Sequence, residues 1–452
     1  MTNVAAPADA PSMKQPKGLY LLFNVEMWER FSFYGMRAIL ILFLVSNAGG
    51  FGWSKERAGK LYGLYTSSVY LTPILGGFLA DRFLGIHRSI LIGSLLIASG
   101  HFCLAFPSVS TFYVGLGLIM FGTGFHKSNI STMVGKLYGP EDRRRDAAYT
   151  IFYMGINTGA FLGQIICGSF AKSPTYGWHW GFGAAGVGMV LGTIVYILRK
   201  KKYLGTIGDK PAAPFHAAKK DQAPPITASG MRGIGAIVIM AFFNIFFWSA
   251  FEQAGSSMNL FAEEHTDRWI LGWQMPAPWF QSVNALVIMI CAPMFAALWT
   301  RLAARGREPS TPIKFVWALV LVALGFAVLA TGARRADLGI LVSPVWLILA
   351  YVLHTWGELC LSPVGLSMVS RLAPIKVGSL MMGLWFFSFS LSDLTGGLVA
   401  SQIEKIEKGH LLFGGQTDFF LIFVAAPLVG AGLLWLLSGT VKRLMKAAEA
   451  PA

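Results

Sequence analysis

Residues 19–45, LYLLFNVEMWERFSFYGMRAILILFLV, decide the fold. The stretch is long enough to cross a bilayer as a helix, which takes about 20 residues, and both of its ends are almost wholly apolar. Its middle holds Glu26, Glu29, Arg30 and Arg37. Each such charge costs about 2.5–3.5 kcal/mol at the centre of a spanning helix on insertion scales, too much to carry without a compensating role. Positions 26, 30, 33 and 37 share one helical face and 29 lies beside it. Glu26 and Arg30 stand one turn apart, the spacing of a helical ion pair. The segment reads as a helix with one wet face, turned toward the inside of a bundle.

Outward from this stretch, apolar runs of similar length recur near 57–80, 89–106, 110–134, 147–170, 180–198, 233–261, 279–300, 313–331, 341–369, 378–401 and 417–440. They are rich in Leu, Ile, Phe, Gly and Ala and lack the short alternation of a membrane β-barrel, so each satisfies its own backbone as a helix. The expected fold class is an all-α membrane protein of twelve transmembrane helices. Composition agrees: of 452 residues 54% are hydrophobic and 13% charged, where soluble domains are about one quarter charged. A formal charge of +15 raises the question of nucleic acid. The Lys and Arg, however, sort by side of the spans, 25 on one side against 9 on the other. That bias follows the positive-inside rule. It predicts a multi-pass protein of the cell's inner (plasma) membrane with both termini cytoplasmic, the lipid bilayer as its surroundings and no nucleic-acid partner. Residues 1–18 lack the apolar core of a signal peptide and read as a polar tail. Cys103, Cys167, Cys291 and Cys360 sit in apolar runs without metal spacing and read as buried packing.

The longest polar break, near Lys200 to Met231, is rich in Lys, Ala and Pro and leaves six spans on each side. The expected organisation is a cytoplasmic tail 1–18, a six-helix bundle 19–199, a cytoplasmic linker 200–231, a second six-helix bundle 232–443 and a tail 444–452. A faint repeat supports two halves, with Gly77-Phe-Leu-Ala-Asp81-Arg82 closing the second span and Ala297-Leu-Trp-Thr300-Arg301 at the equivalent point later on. The first of these resembles the Gly-x-x-x-Asp-Arg loop of the major facilitator superfamily, whose two six-helix bundles rock about a central site. Gly155, Gly159 and Gly163, four residues apart, read as a face for close approach of a neighbouring helix.

Further ionisable residues inside spans are Lys127, Glu252, Glu358 and Asp393, and such residues are functional candidates. The first half supplies the bases Arg30, Arg37 and Lys127. The second supplies Glu252, Glu358 and Asp393 and no base. A cavity between the halves is then basic on one wall and acidic on the other, complementary to a zwitterion. Carboxylates outnumber bases, and desolvation favours a proton on the surplus one, which suits proton coupling. Asp393 itself reads as a helix-end or structural group. Tyr34, Tyr70, Asn157, Trp248, Asn284, Ser362 and Trp385 accompany the charged spans. His126, beside Lys127, and His354, one turn before Glu358, are further proton-carrier candidates. No metalloprotease helix motif, Cys–His pair or phosphate loop occurs, so an enzyme is not expected.

Glu26-Met-Trp-Glu29-Arg30-Phe31-Ser-Phe33-Tyr34 resembles the Glu-x-x-Glu-Arg-Phe-x-Tyr-Tyr signature of the proton-coupled oligopeptide transporter (POT) family of the major facilitator superfamily. Windows at Phe152 to Gly159, Trp248 to Gly255 and Gly357 to Ser367 are similar to that family's fifth, seventh and tenth helices. The resemblance implies symport of di- and tripeptides with protons by alternating access, with protons as the coupling ion and no cofactor. It implies proton coupling through Glu26, Glu29, Arg30 and Lys127. Arg30, Arg37 and Lys127 would face the peptide carboxylate, and Asn157, Asn284 and Glu358 its amino end. Tyr34, Tyr70, Trp248, Ser362 and Trp385 would line the rest of the site. Salt bridges from Arg37 to Glu252 and from Lys127 to Glu358 would close the two gates in turn. Phe33 and Ser128 depart from the pattern, standing where the family has Tyr and often Pro. The alternative is a carrier of the same fold for nitrate, an amino-acid conjugate or a peptide-like drug. Nitrate has no use for an acidic wall.

Overall fold

A computed structural model describes residues 14–139, 142, 144–211 and 226–449. The start of the expected N-terminal tail (1–13), the middle of the expected linker (212–225) and the last three residues of the chain lie outside the described residues.

Among the described residues twelve helices reach membrane length. They are α1 (Lys17–Val45), α2 (Lys55–Leu79), α3 (Ile86–Leu104), α4 (Val109–Gly135), α5 (Arg144–Lys172), α6 (Trp178–Leu204), α7 (Ala228–Phe251), α8 (Ser282–Ala304), α9 (Thr311–Ala336), α10 (Val345–Leu372), α11 (Gly378–Ala400) and α12 (Gly415–Glu449). Nine of these segments are apolar enough throughout to cross a membrane. The other three are α1, α2 and α11, which carry the charged stripe, a charged first turn and the Ser-rich stretch around Asp393.

Three elements differ from the sequence expectation. The run 233–261 is not one helix: α7 stops at Phe251, Glu252–Gly255 forms a tight 3-10 turn, and a short helix follows over Ser257–Glu264. A two-residue hairpin pairs Trp269–Ile270 with Trp273–Gln274, so the chain is not wholly helical. Its turn places Leu271 and Gly272 at positive φ, the geometry that lets a two-residue loop follow strand twist. Finally, α12 continues as helix through 444–449, the beginning of the expected tail.

The outer surface is apolar and a small set of charges lies inside an otherwise apolar interior. Leu198 and Leu436 are each 70% exposed, and Trp435, Phe83 and Leu75 are also on the outside. Glu26, Glu29, Arg30, Arg37, Glu252 and Asp393 are inside. A surface of that kind is solvated by lipid tails rather than water.

Packing repeats itself between the halves. α1 lies on α5 and α6, α2 on α4, and α3 on α4 and α6; correspondingly α7 lies on α11 and α12, α8 on α10, and α9 on α10 and α12. The two sets meet where α2 touches α11 and α5 touches α8. At the first seam Gly63 and Gly397 bring the backbones so close that a Cβ on either would strike the other's Cα. The Ser67 and Ser390 hydroxyls bond across it at 2.8 Å. Small residues at a helix crossing serve this purpose in a bilayer, where apolar side chains gain little from leaving lipid.

Candidate functional site

The charged stripe of α1 is buried and held from two sides. Arg30 sends both Nε and Nη2 to the carboxylate of Glu29, the Nη2 bond measuring 2.6 Å. The Glu26 partner expected from one-turn spacing is also present, more loosely, with Arg30 Nε 3.4 Å from Glu26 Oε1. Glu26 Oε2 has no hydrogen-bond partner. A two-pronged guanidinium–carboxylate pair is among the stronger ionic contacts, and it partly offsets the desolvation of three buried charges. Close approach of α5 fixes the stripe. Gly159 lies against the Met27 carbonyl and the Arg30 Cβ, Gly155 against Phe23 and Gly163 against Phe31. The glycine row thus serves α1, where sequence named only an unspecified neighbour. Donor atoms of Glu26, Glu29 and His126 lie within 4.8 Å of one another, a spacing compatible with a cation, although Arg30 already supplies positive charge there.

Further along α1, Arg37 joins the two halves. Its Nη2 donates to Glu252 at the break after α7, and its Nε donates to the Tyr62 hydroxyl at 2.8 Å. The break is what allows this. With no side chain, Gly255 leaves room for the Tyr62 hydroxyl and the Arg37 Nε, and any Cβ there would overlap the hydroxyl. Gln253 anchors the turn by donating to the Ser249 and Gly396 carbonyls. Of the two readings the sequence allowed for Asp393, a helix-end or a structural group, the helix-end one fails. The residue lies inside α11, buried, with Oδ2 unpartnered and Arg37, Glu252 and Lys127 in electrostatic reach.

The other expected bridge is open. Lys127 Nζ sits 4.4 Å from the centre of the Tyr70 ring, a cation–π contact. Glu358 instead accepts from Asn284 Nδ2 at 2.9 Å, and the same amide donates to Thr355 at 3.0 Å. No Lys127–Glu358 ion pair forms among the described residues.

Between these groups lies a cavity of about 90 Å³ lined by Tyr34, Arg37, Tyr70, Trp248, Glu252, Asn284 and Glu358. Trp248 brings an indole N–H that is buried without a partner. His354 reaches the same wall, its ring 4.6 Å from that of Phe326. Five of the substrate-binding residues expected from sequence are not in this lining, and neither are Glu26 and Glu29 of the proton-coupling set. Arg30 is engaged by Glu29 and Lys127 by Tyr70. Asn157 donates to the Tyr153 carbonyl of its own helix at 2.9 Å. The Ser362 hydroxyl is buried without a partner. Trp385 packs against Gly365 and the rings of Phe315 and Phe389.

Sequence reasoning missed Gln164, Gln281 and Tyr351, which complete the polar lining, and Tyr62, the second partner of Arg37. A signal existed for three of them. Gln164 follows Asn157, and Tyr351 precedes Glu358, by seven residues, two turns along the same face; Gln281 precedes Asn284 by one turn.

A profile described as POT family matches residues 87–219 and 226–417. Peptide transporter YePEPT of Yersinia enterocolitica is 36% identical, covering 98% of both chains. The Di-/tripeptide transporter of Lactococcus lactis subsp. cremoris is 32% identical over 95% of this chain and 97% of its own. Among solved structures, a peptide transporter POT in complex with sulfate superposes with a TM-score of 0.87 at 34% identity, covering 98% of each chain. An apolar exterior around a few buried charges and the paired packing of the halves are those of a major facilitator transporter, and with profile and relatives matching from one half to the other, this chain belongs to the POT family.

Proposed function

We propose that the chain carries di- and tripeptides into the cell together with protons by alternating access. The observation that carries this reading is the two-sided cavity. Arg37 enters it from the first six helices, with Arg30 and Lys127 nearby, and Glu252, Glu358 and Asn284 enter from the last six. A zwitterion with its charges one or two residues apart uses both walls, whereas a simple anion has no use for the acidic one. The names of the Yersinia and Lactococcus relatives support peptide as the cargo.

In this reading the halves 19–199 and 232–443 are the rocking units, joined by a cytoplasmic linker at 200–231, with both termini on the cytoplasmic face of the inner membrane. Arg37–Glu252 closes the outer gate, and Lys127–Glu358 closes the inner gate when the outer one parts. Glu26, Glu29 and Arg30 couple the proton to that exchange, because protonating either carboxylate loosens its hold on Arg30. Arg30, Arg37 and Lys127 then meet the peptide carboxylate, and Asn157, Asn284 and Glu358 the amino end. Tyr34, Tyr70, Trp248, Ser362 and Trp385 shape the side-chain space.

Reconstituted into proteoliposomes, the chain is expected to accumulate labelled dialanine under an inward proton gradient and to lose accumulation with a protonophore. A tenfold excess of unlabelled dialanine is expected to compete, and nitrate is not. Accumulation indifferent to the gradient, or competed by nitrate alone, overturns the proposal.

A further inference from the structure

We infer that His126 shares the transported proton with Glu26 and Glu29, an inference that rests on the proton-coupled reading above. His126 is on α4, inside the bundle, and is wholly buried. Neither ring nitrogen has a hydrogen-bond partner. An imidazole sealed from water with both nitrogens unmatched is costly to keep, since each unmade bond forfeits its solvation. His101 and His354 are unmatched in the same way, and what sets His126 apart is the pair of carboxylates beside it. Its ring nitrogen and the carboxylate oxygens of Glu26 and Glu29 lie within 4.8 Å of one another, so rotating either side chain by a fraction of its range closes a hydrogen bond.

Unpartnered atoms remain on both groups. Glu26 Oε2 is buried and accepts nothing, while Arg30 occupies Oε1 of that residue and both oxygens of Glu29. A proton arriving at the Glu26 carboxylate turns it into an O–H donor, and an unprotonated ring nitrogen of His126, within 4.8 Å of one of its oxygens, is an acceptor in reach. Passing the proton across breaks the O–H bond and makes an N–H bond. The carboxylate left behind then faces an imidazolium, which competes with Arg30 for it. Both forms hold the same single proton, which leaves later by the same atoms. The charged groups facing His126 are Glu26, Glu29 and Arg30 from α1; Lys127, next to it on its own helix, turns to the Tyr70 ring instead. α3 meets it through the backbone of Gly93, and Tyr65 of α2 and His101 of α3 lie in electrostatic reach of Glu29. A metal ion is the other ligand for such a cluster, but Arg30 already stands between the carboxylates.

The test uses the full chain in proteoliposomes, with gradient-driven dialanine uptake and gradient-free counterflow measured across pH. Loss of the acceptor destabilises the protonated carboxyl, so more acid is needed to load it. His126→Leu is expected to move the midpoint of gradient-driven uptake about one pH unit toward acid, the size of one hydrogen bond between uncharged groups. Counterflow is expected to stay within twofold. His126→Gln keeps an acceptor oxygen and is expected to shift the midpoint in the same direction by less. It also serves as the test should the Leu variant fail to fold. An unmoved midpoint in both variants, or uptake and counterflow falling together at every pH, overturns the role of His126. An unsubstituted chain without gradient-driven uptake overturns the transport reading instead.

Discussion

Two places in the interior hold the same chemical pair, a base from the first six helices and a glutamate from the last six, in opposite states. Arg37 and Glu252 are joined, and Lys127 and Glu358 are apart, each with a substitute partner. The substitutes explain how one pair stands open in a poorly solvated interior. The face of Tyr70 takes part of the ammonium's charge, and Asn284 donates to the carboxylate, so neither ion is abandoned. Exchange between bridge and substitute therefore involves free energies small enough for a proton or a peptide to decide. Arg37 has a substitute as well, because Tyr62 already holds its Nε. Asp393, with a free oxygen in reach of both Arg37 and Lys127, is a third carboxylate for either base to find.

The largest expected effect separates the two pairs by stability. Arg37→Ala strands Glu252 inside the protein, and removing one member of a buried pair costs about 3–5 kcal/mol. Its Tm in detergent without peptide is expected to fall by several degrees, and gradient-driven uptake to drop to background. Lys127→Ala removes no bridge in this state, so its Tm is expected to stay close to that of the parent while uptake still fails at the next step of the cycle. Equal Tm losses would erase the contrast between the pairs.

A smaller effect tests what holds the stripe upright. Gly159→Ala puts a methyl group against the Met27 carbonyl and the Arg30 Cβ, and overpacking of a tight contact costs about 1–3 kcal/mol. Because α1 then shifts away from α5, gradient-driven uptake is expected to fall severalfold more than counterflow, the asymmetry being the readout. Equal losses would make the glycine row general packing with no bearing on coupling.

Much of this arrangement was legible in sequence because a bilayer makes exceptions conspicuous. Glu26, Glu29 and Arg30 stand out in an apolar run, and two walls of opposite sign follow from which half each charge belongs to. What was not legible depends on backbone shape. The break at Glu252 looks apolar and helical by hydropathy, and only Gly255 followed by Ser256 and Ser257 hints at it. Tyr62 is invisible until that break brings Glu252 to Arg37. Spacing favours Glu26 as the partner of Arg30, yet packing of α5 against Arg30 accompanies a guanidinium turned to its immediate neighbour Glu29. Asp393 had no companion in its own helix, since its companions Arg37 and Glu252 come from α1 and the α7 break.

The smallest expected effect concerns Phe33, where the family signature has Tyr. Its ring is buried beside the Arg30 guanidinium, 5.1 Å from ring centre to guanidinium carbon, and meets Tyr34 edge to face at 5.3 Å. Arg30 gives its Nε and Nη2 to Glu29, so a hydroxyl added by Phe33→Tyr would have to bond elsewhere in the stripe or lie unmatched. The exchange between Arg30 and its carboxylates is left alone, so the ratio of gradient-driven uptake to counterflow is expected not to change. The KM for dialanine is expected to move by less than about threefold, within the roughly 0.5–1.5 kcal/mol net worth of one hydrogen bond. A changed ratio at constant KM would place the hydroxyl in the proton path, and the pair that lacks a bridge would then depend on more than Lys127 and Glu358.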